Sequence, residues 1–136
     1  MSHHVLKLTG ADFLRHPQFN KGSAFTREER EWLKITAQLP PYVDTLEIQV
    51  ERCVTTIKQE DKTPLQRYVL LRQVQDTNLV LFYAILAKDL NYFLPIVYTP
   101  VVGEACIKFH RIMQRDAHGM YLSVADRGRL AEMMGH

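Results

Sequence analysis

Residues 63–90 read TPLQRYVLLRQVQDTNLVLFYAILAKDL, and this run decides the fold. Thr63 can accept a hydrogen bond from the free amides that open a helix. Pro64 suits the first helical position, where its missing N–H would have had no partner anyway. Apolar residues at 65, 68, 69, 71 and 74 follow with helical spacing. From Leu79 to Leu86 the side chains are apolar almost all round. That end of the segment is predicted to lie centrally in a helical core, with Pro95 closing the region.

Upstream, Thr26-Arg27-Glu28-Glu29 has the form of a capping box and predicts a short helix that Pro40 and Pro41 end. Thr45 reads as the cap of a further helix whose Leu46, Val50, Cys53, Val54 and Ile57 share one face. Downstream, Pro100 with Thr99 as cap predicts a helix to about Gln114. Its packing candidates are Ala105, Ile107, Phe109, Ile112 and Met113. His118-Gly119 then reads as a turn, GMYLSV (119–124) as a short strand, and Asp126 as the cap of a last helical turn that runs out at Gly135. A single strand without a partner is marginal in water, so this ending reads as the first step of a truncated α/β domain. The fold class is therefore mainly α, with no repeat or low-complexity tract.

Between two prolines, PIVYTPVVGEAC (95–106) carries Tyr98 where one apolar segment ends and a helix begins. Pro100 disfavours helical geometry at Thr99, so the side chain sits on a rigid turn. A tyrosine hydroxyl so placed can move a proton, and it can equally be a core residue with its hydroxyl satisfied. Spacing leaves both readings open.

Little else points to chemistry. The six glycines never cluster, so no phosphate-cradling loop can form, and there is no GxSxG, HExxH or grouped set of metal-ligand residues. Glu28, Glu29 and Glu31 lie among Arg27 and Arg30 and read as a solvated helix face. His110 and His118 bracket Arg111 and Arg115, which reads as a polar helix face or a small anion-binding patch. Seventeen basic and fifteen acidic residues, mixed along 136 positions, give a net charge of +2 and no electrostatic footprint for nucleic acid or anionic lipid. No apolar run approaches the roughly 20 residues that span a membrane. Cys53 and Cys106, without CxxC spacing, read as small core residues with free thiols in a reducing compartment. His3 and His4 belong to a short mixed terminus and suggest no metal site.

Taken in order, FNKGSAFTREER (19–30), LPPYVDTLEIQVER (39–52), the 63–90 run, PIVYTPVVGEAC (95–106) and GMYLSVADRG (119–128) resemble the amino-terminal region of malic enzyme. The resemblance implies residues 1–12 as a flexible terminus, 13–116 as a helical first domain and 117–136 as the start of the α/β substrate domain. It implies metal- and NAD(P)-dependent oxidative decarboxylation of malate to pyruvate and carbon dioxide. Tyr98 would be the general acid that protonates the enolpyruvate carbon after carbon dioxide leaves, with the helix that starts at Pro100 placing a partial positive charge nearby. The lysine base, the acidic ligands of Mg²⁺ or Mn²⁺, the malate-binding arginine and the NAD or NADP site would lie beyond His136. None of these groups is then expected on the fragment alone, which would be inactive.

The implied partners are malate or pyruvate and further copies of the chain as a dimer or tetramer, without nucleic acid or membrane. A match that begins within about a dozen residues of Met1 leaves little room for a transit peptide, so the expected location is cytoplasmic, with a mitochondrial one as the alternative. The family usually has threonine where Val101 stands. Arg52 matches one of two arginines that bind fumarate in some animal members, and the other position holds Thr77. Loss of that second cation removes a charge-assisted contact worth roughly 1.5–3 kcal/mol, so the resemblance does not extend to fumarate activation. The alternative function is a non-enzymatic helical interaction or dimerisation module in which Tyr98 merely packs.

Overall fold

The computed structural model describes residues 9–113 and 119–135. His3, His4, Arg115, the expected helix end at Gln114, the His118 half of the turn and the domain boundary at 116/117 lie outside the described residues.

Polar caps set where the helices begin. The Asp12 carboxylate takes both the amide and the hydroxyl of Thr9 to open α1 (Gly10–Arg15), so Gly10, Ala11 and Asp12 of the terminal stretch 1–12 are helical. Thr26 accepts from the Glu29 amide while Glu29 accepts from that of Thr26, the expected capping box, opening α2 (Arg27–Trp32). This helix does not run to Pro40 and Pro41. Lys34 takes a left-handed backbone (φ 57°), and the Ile35 amide turns back to the Arg30 carbonyl at 2.9 Å. That closing motif usually uses glycine at the left-handed position. Here the burial of Ile35, fully shielded from solvent, draws the chain inward and offsets the strain of the lysine.

Thr45 caps α3 (Leu46–Ile57) as expected, with Val50 and Ile57 buried and Leu46, Cys53 and Val54 packed against the core. Thr63 and Gln66 close the start of α4 (Pro64–Thr77). Two further caps lie hidden in the apolar run that follows. Asn78 leaves helical geometry (φ −150°) and accepts from the Leu81 amide to open α5 (Leu79–Lys88). Asp89 (φ −156°) accepts from the Tyr92 amide to open α6 (Leu90–Val97). The region expected to close at Pro95 is thus three helices, and Pro95 lies inside the third. There it forfeits one ladder bond in a helix that ends two residues later.

Pro100, not Thr99, flanks α7 (Val101–Ile107), and no side chain caps that helix. It gives way to a short 3₁₀ turn, Phe109–Arg111, before Gln114. Of its expected packing residues, Ala105 is buried, while Ile107 and Met113 are exposed. Beyond it come a 3₁₀ turn, Val124–Asp126, and α8 (Leu130–Met133). The strand expected at 119–124 does not form, and no strand occurs among the described residues. A strand needs a partner's ladder, and Met120, Tyr121, Leu122 and Val124 stand exposed with none. Asp126, expected to cap the last helical turn, instead accepts from the Ser123 amide and hydroxyl.

The core gathers around α4, which packs on α5, α6 and α7. Phe93, Leu71, Ile85 and Ile57 are its most deeply buried side chains. Each contributes about 1.5–3 kcal/mol by leaving water. Burial of α5 is not all round, because Leu81, Phe82 and Ile85 face inward while Val80 and Tyr83 face out. Leu90–Ile107 has the length and composition of a membrane span. The break at Tyr98–Pro100 divides it, and Phe93, Ile96, Val101 and Ala105 are buried in the bundle, so we read it as core.

Candidate active-site turn

Tyr98 is the residue at which α6 stops. Its amide donates to the Leu94 carbonyl at 2.9 Å, and its own carbonyl accepts from the Val102 amide at 2.9 Å. The residue is therefore tied into the last turn of α6 and the first turn of α7 at once. The Thr99–Pro100 peptide between them is cis. Val101 and Ala105 anchor α7 in the core, so the turn is rigid on both sides. The side chain itself is 65 % exposed, which overturns the reading of Tyr98 as a buried packing residue. Val101, 7 % exposed, belongs to the core cluster.

Among the described residues there is no set of three His, Cys, Asp or Glu side chains that could hold a metal ion. The described residues therefore do not fit a metal ion. Cavities of about 290 to 640 Å³ occur elsewhere in the bundle, and Tyr98 lines none of these four. Arg111 donates to His110 at 3.1 Å on an exposed face. Cys106 is exposed rather than a core residue, whereas burial pushes the Cys53 thiol up.

Arg52 makes an ion pair with Asp44 at 2.8 Å. Asp44 is almost fully buried and also accepts from the Ser23 hydroxyl. Thr77 donates to the carbonyls of Gln73 and Val74 within its own helix. The Ser23 hydrogen bond, with the Arg52 guanidinium second, holds the Asp44 carboxyl below the usual carboxylate range. A lowered native pKa means the unfolded chain takes up the proton first as pH falls. The stabilisation is thus present above the unfolded pKa of about 3.9 and is lost as pH drops through the native value. Melting temperatures across the acid range should fall less steeply in Asp44→Asn than in the wild type. Parallel acid limbs would show that Asp44 does not govern this dependence.

Arg30, expected on a solvated helix face, lies instead in the interior. It is 3 % exposed. Its guanidinium donates to the carbonyls of Phe25, Pro40, Ser23 and Tyr42 at 2.8, 2.6, 2.7 and 3.1 Å. No local signal marks it, because all four carbonyls come from the segments on either side of α2.

Comparison with known proteins agrees with the resemblance read from the motifs. Residues 75–136, which include Tyr98, match the family described as malic enzyme, N-terminal domain. The hydrogenosomal malic enzyme of Neocallimastix frontalis is 43 % identical over 127 residues, which is 93 % of this chain and 21 % of that protein. The chloroplastic NADP-dependent malic enzyme of Zea mays is 42 % identical over 126 residues, 93 % of this chain and 20 % of that one. The NAD-dependent malic enzyme of Pectobacterium atrosepticum is 44 % identical over 125 residues, 92 % and 22 %. The chain is similar to these malic enzymes over most of its own length, and its residues 75–136 match the model of their N-terminal domain. It spans about one-fifth of the length of the curated relatives it matches.

Proposed function

We propose that this chain is the amino-terminal part of a malic enzyme, which oxidatively decarboxylates malate to pyruvate and carbon dioxide with NAD or NADP and Mg²⁺ or Mn²⁺. Tyr98 is the general acid that returns a proton to the enolpyruvate carbon once carbon dioxide has left. The observation that carries this reading is the exposed phenol on a turn fixed from both sides, within the residues matched to the family. A group held on rigid elements and open to a reactant meets the first requirement of acid catalysis, which is reach. The other catalytic groups belong to parts of the enzyme outside these 136 residues. Residues 117–136 are the start of the α/β substrate domain, and the extended backbone at Ser123 (φ −120°, ψ 166°) is compatible with pairing once a neighbouring strand is supplied. The exposed Val80, Tyr83, Leu90 and Leu94 on α5 and α6 offer an apolar face for contact with a second subunit.

One acid without a base, metal or nucleotide cannot turn over. The 136-residue chain given malate, NAD or NADP and Mn²⁺ should produce no reduced cofactor, while the complete gene product should produce it under the same conditions. Turnover by the short chain above the blank would overturn the division of labour proposed here, and an inactive complete product would overturn the activity itself.

A further inference from the structure

Lys58 follows the last turn of α3 and reaches across to the joint between α5 and α6. Its ammonium lies 2.6 Å from Asp89 Oδ2, 4.3 Å from the centre of the Tyr92 ring and 5.6 Å from that of Phe93. Asp89 uses both carboxylate oxygens. Oδ1 accepts from the Tyr92 amide at 3.2 Å and closes the start of α6, while Oδ2 takes the ammonium. Charge, cap and two ring faces therefore converge on one turn of helix.

The far end of that helix is Tyr98. α6 has eight residues and is about 12 Å long, so a tilt of about 5° at Asp89 moves its other end by about 1 Å. Phe93 and Ile96 bury α6 in the core, and Asp89, held by Lys58, caps its first turn. From this geometry we infer that Lys58 is a positioning residue for Tyr98, holding the origin of α6 so that the phenol is presented in one place. The inference rests on the general-acid reading of Tyr98. Lys58 and Asp89 are each a little over one-third exposed, and a pair of that kind adds little to global stability. Its loss should appear in rate, since a misplacement of about 1 Å can cost a reaction roughly a hundredfold.

The test uses the complete enzyme. Lys58→Met should lower kcat about tenfold or more, with the KM for malate within about twofold and the melting temperature within about 2 °C of wild type. Lys58→Arg keeps the charge and should restore kcat to within about threefold. In a Tyr98→Phe background, Lys58→Met should cost nothing further, because the group it positions is gone. Should Lys58→Met not fold, Asp89→Asn keeps a cap acceptor, removes the charge and should give the same pattern. A kcat for Lys58→Met within about twofold of wild type, or losses that multiply in the double variant, would overturn the inference. If Tyr98→Phe is crippled while Lys58→Met is not, the general-acid reading stands and only the positioning role falls. If Tyr98→Phe is fully active, both fall together.

Discussion

Replacing Arg30 with methionine is expected to cost about 3 kcal/mol of folding stability, out of a total of roughly 5–15 for a domain of this kind. Methionine keeps the length and most of the packing of the side chain but supplies no donor. The carbonyls of Ser23, Phe25, Pro40 and Tyr42 each lose the guanidinium N–H that serves them. The Arg30 to Phe25 bond is buried and the other three are part-buried, and hydrogen bonds to a charged donor are worth more than ordinary ones. Arg30→Lys should recover only part of the loss, because an ammonium has three donors and cannot serve four carbonyls in a planar fork.

The consequence should also be local. Ser23 accepts from the Asp44 amide at 3.1 Å as well as from Arg30, and its hydroxyl donates to the Asp44 carboxylate. Loosening the guanidinium therefore frees the 21–25 and 40–44 segments together, and with them the Asp44–Arg52 pair. Urea unfolding gives the global figure and amide exchange in those two segments the local one. A loss below about 1 kcal/mol would show that water replaces the guanidinium at little cost.

The origin of this cluster explains what could be read from the sequence. The caps at Thr26, Thr45 and Thr63 were legible because each is a local pattern, a hydroxyl followed at fixed spacing by the residue it serves. Asn78 and Asp89 are caps of the same kind, yet they stand inside a run whose hydrophobicity dominates any reading by period. The breaks between α4, α5 and α6 were hidden for that reason. The end of α2 was missed because Lys34 occupies the left-handed position that glycine usually announces. The strand at 119–124 has a strand's alternation of residues but not the neighbour that would pair with it. Arg30 was illegible in a stronger sense, since charge and helical spacing predict exposure and only the folded loops supply its carbonyls. At the candidate site, the rigid turn followed from Pro100, while the outward direction of the phenol did not. The role proposed for Tyr98 comes from resemblance to a family, and the structure adds that its side chain is exposed.

Tyr98→Phe in the complete enzyme is expected to lower kcat by roughly 10²–10⁴-fold, the range that a positioned general acid supplies. The substitution removes one oxygen and keeps the ring. The bonds that tie this residue to Leu94 and Val102 are main-chain bonds and survive it. An exposed side chain outside the core should change stability by no more than about 0.5 kcal/mol, so the melting temperature serves as the control for folding. An acid acts in the transition state of the proton transfer, not in holding malate, and the KM should stay within a few-fold of wild type. The isolated protonation step sharpens the test. Pyruvate incubated with the enzyme in deuterated water should exchange its methyl hydrogens more slowly in the variant by a similar factor, because that exchange needs the same proton movement without carbon–carbon cleavage. Equal loss in both assays would assign the hydroxyl to protonation of the enolpyruvate carbon. A kcat within about threefold of wild type would remove Tyr98 from the chemistry and return it to the surface of a helical module.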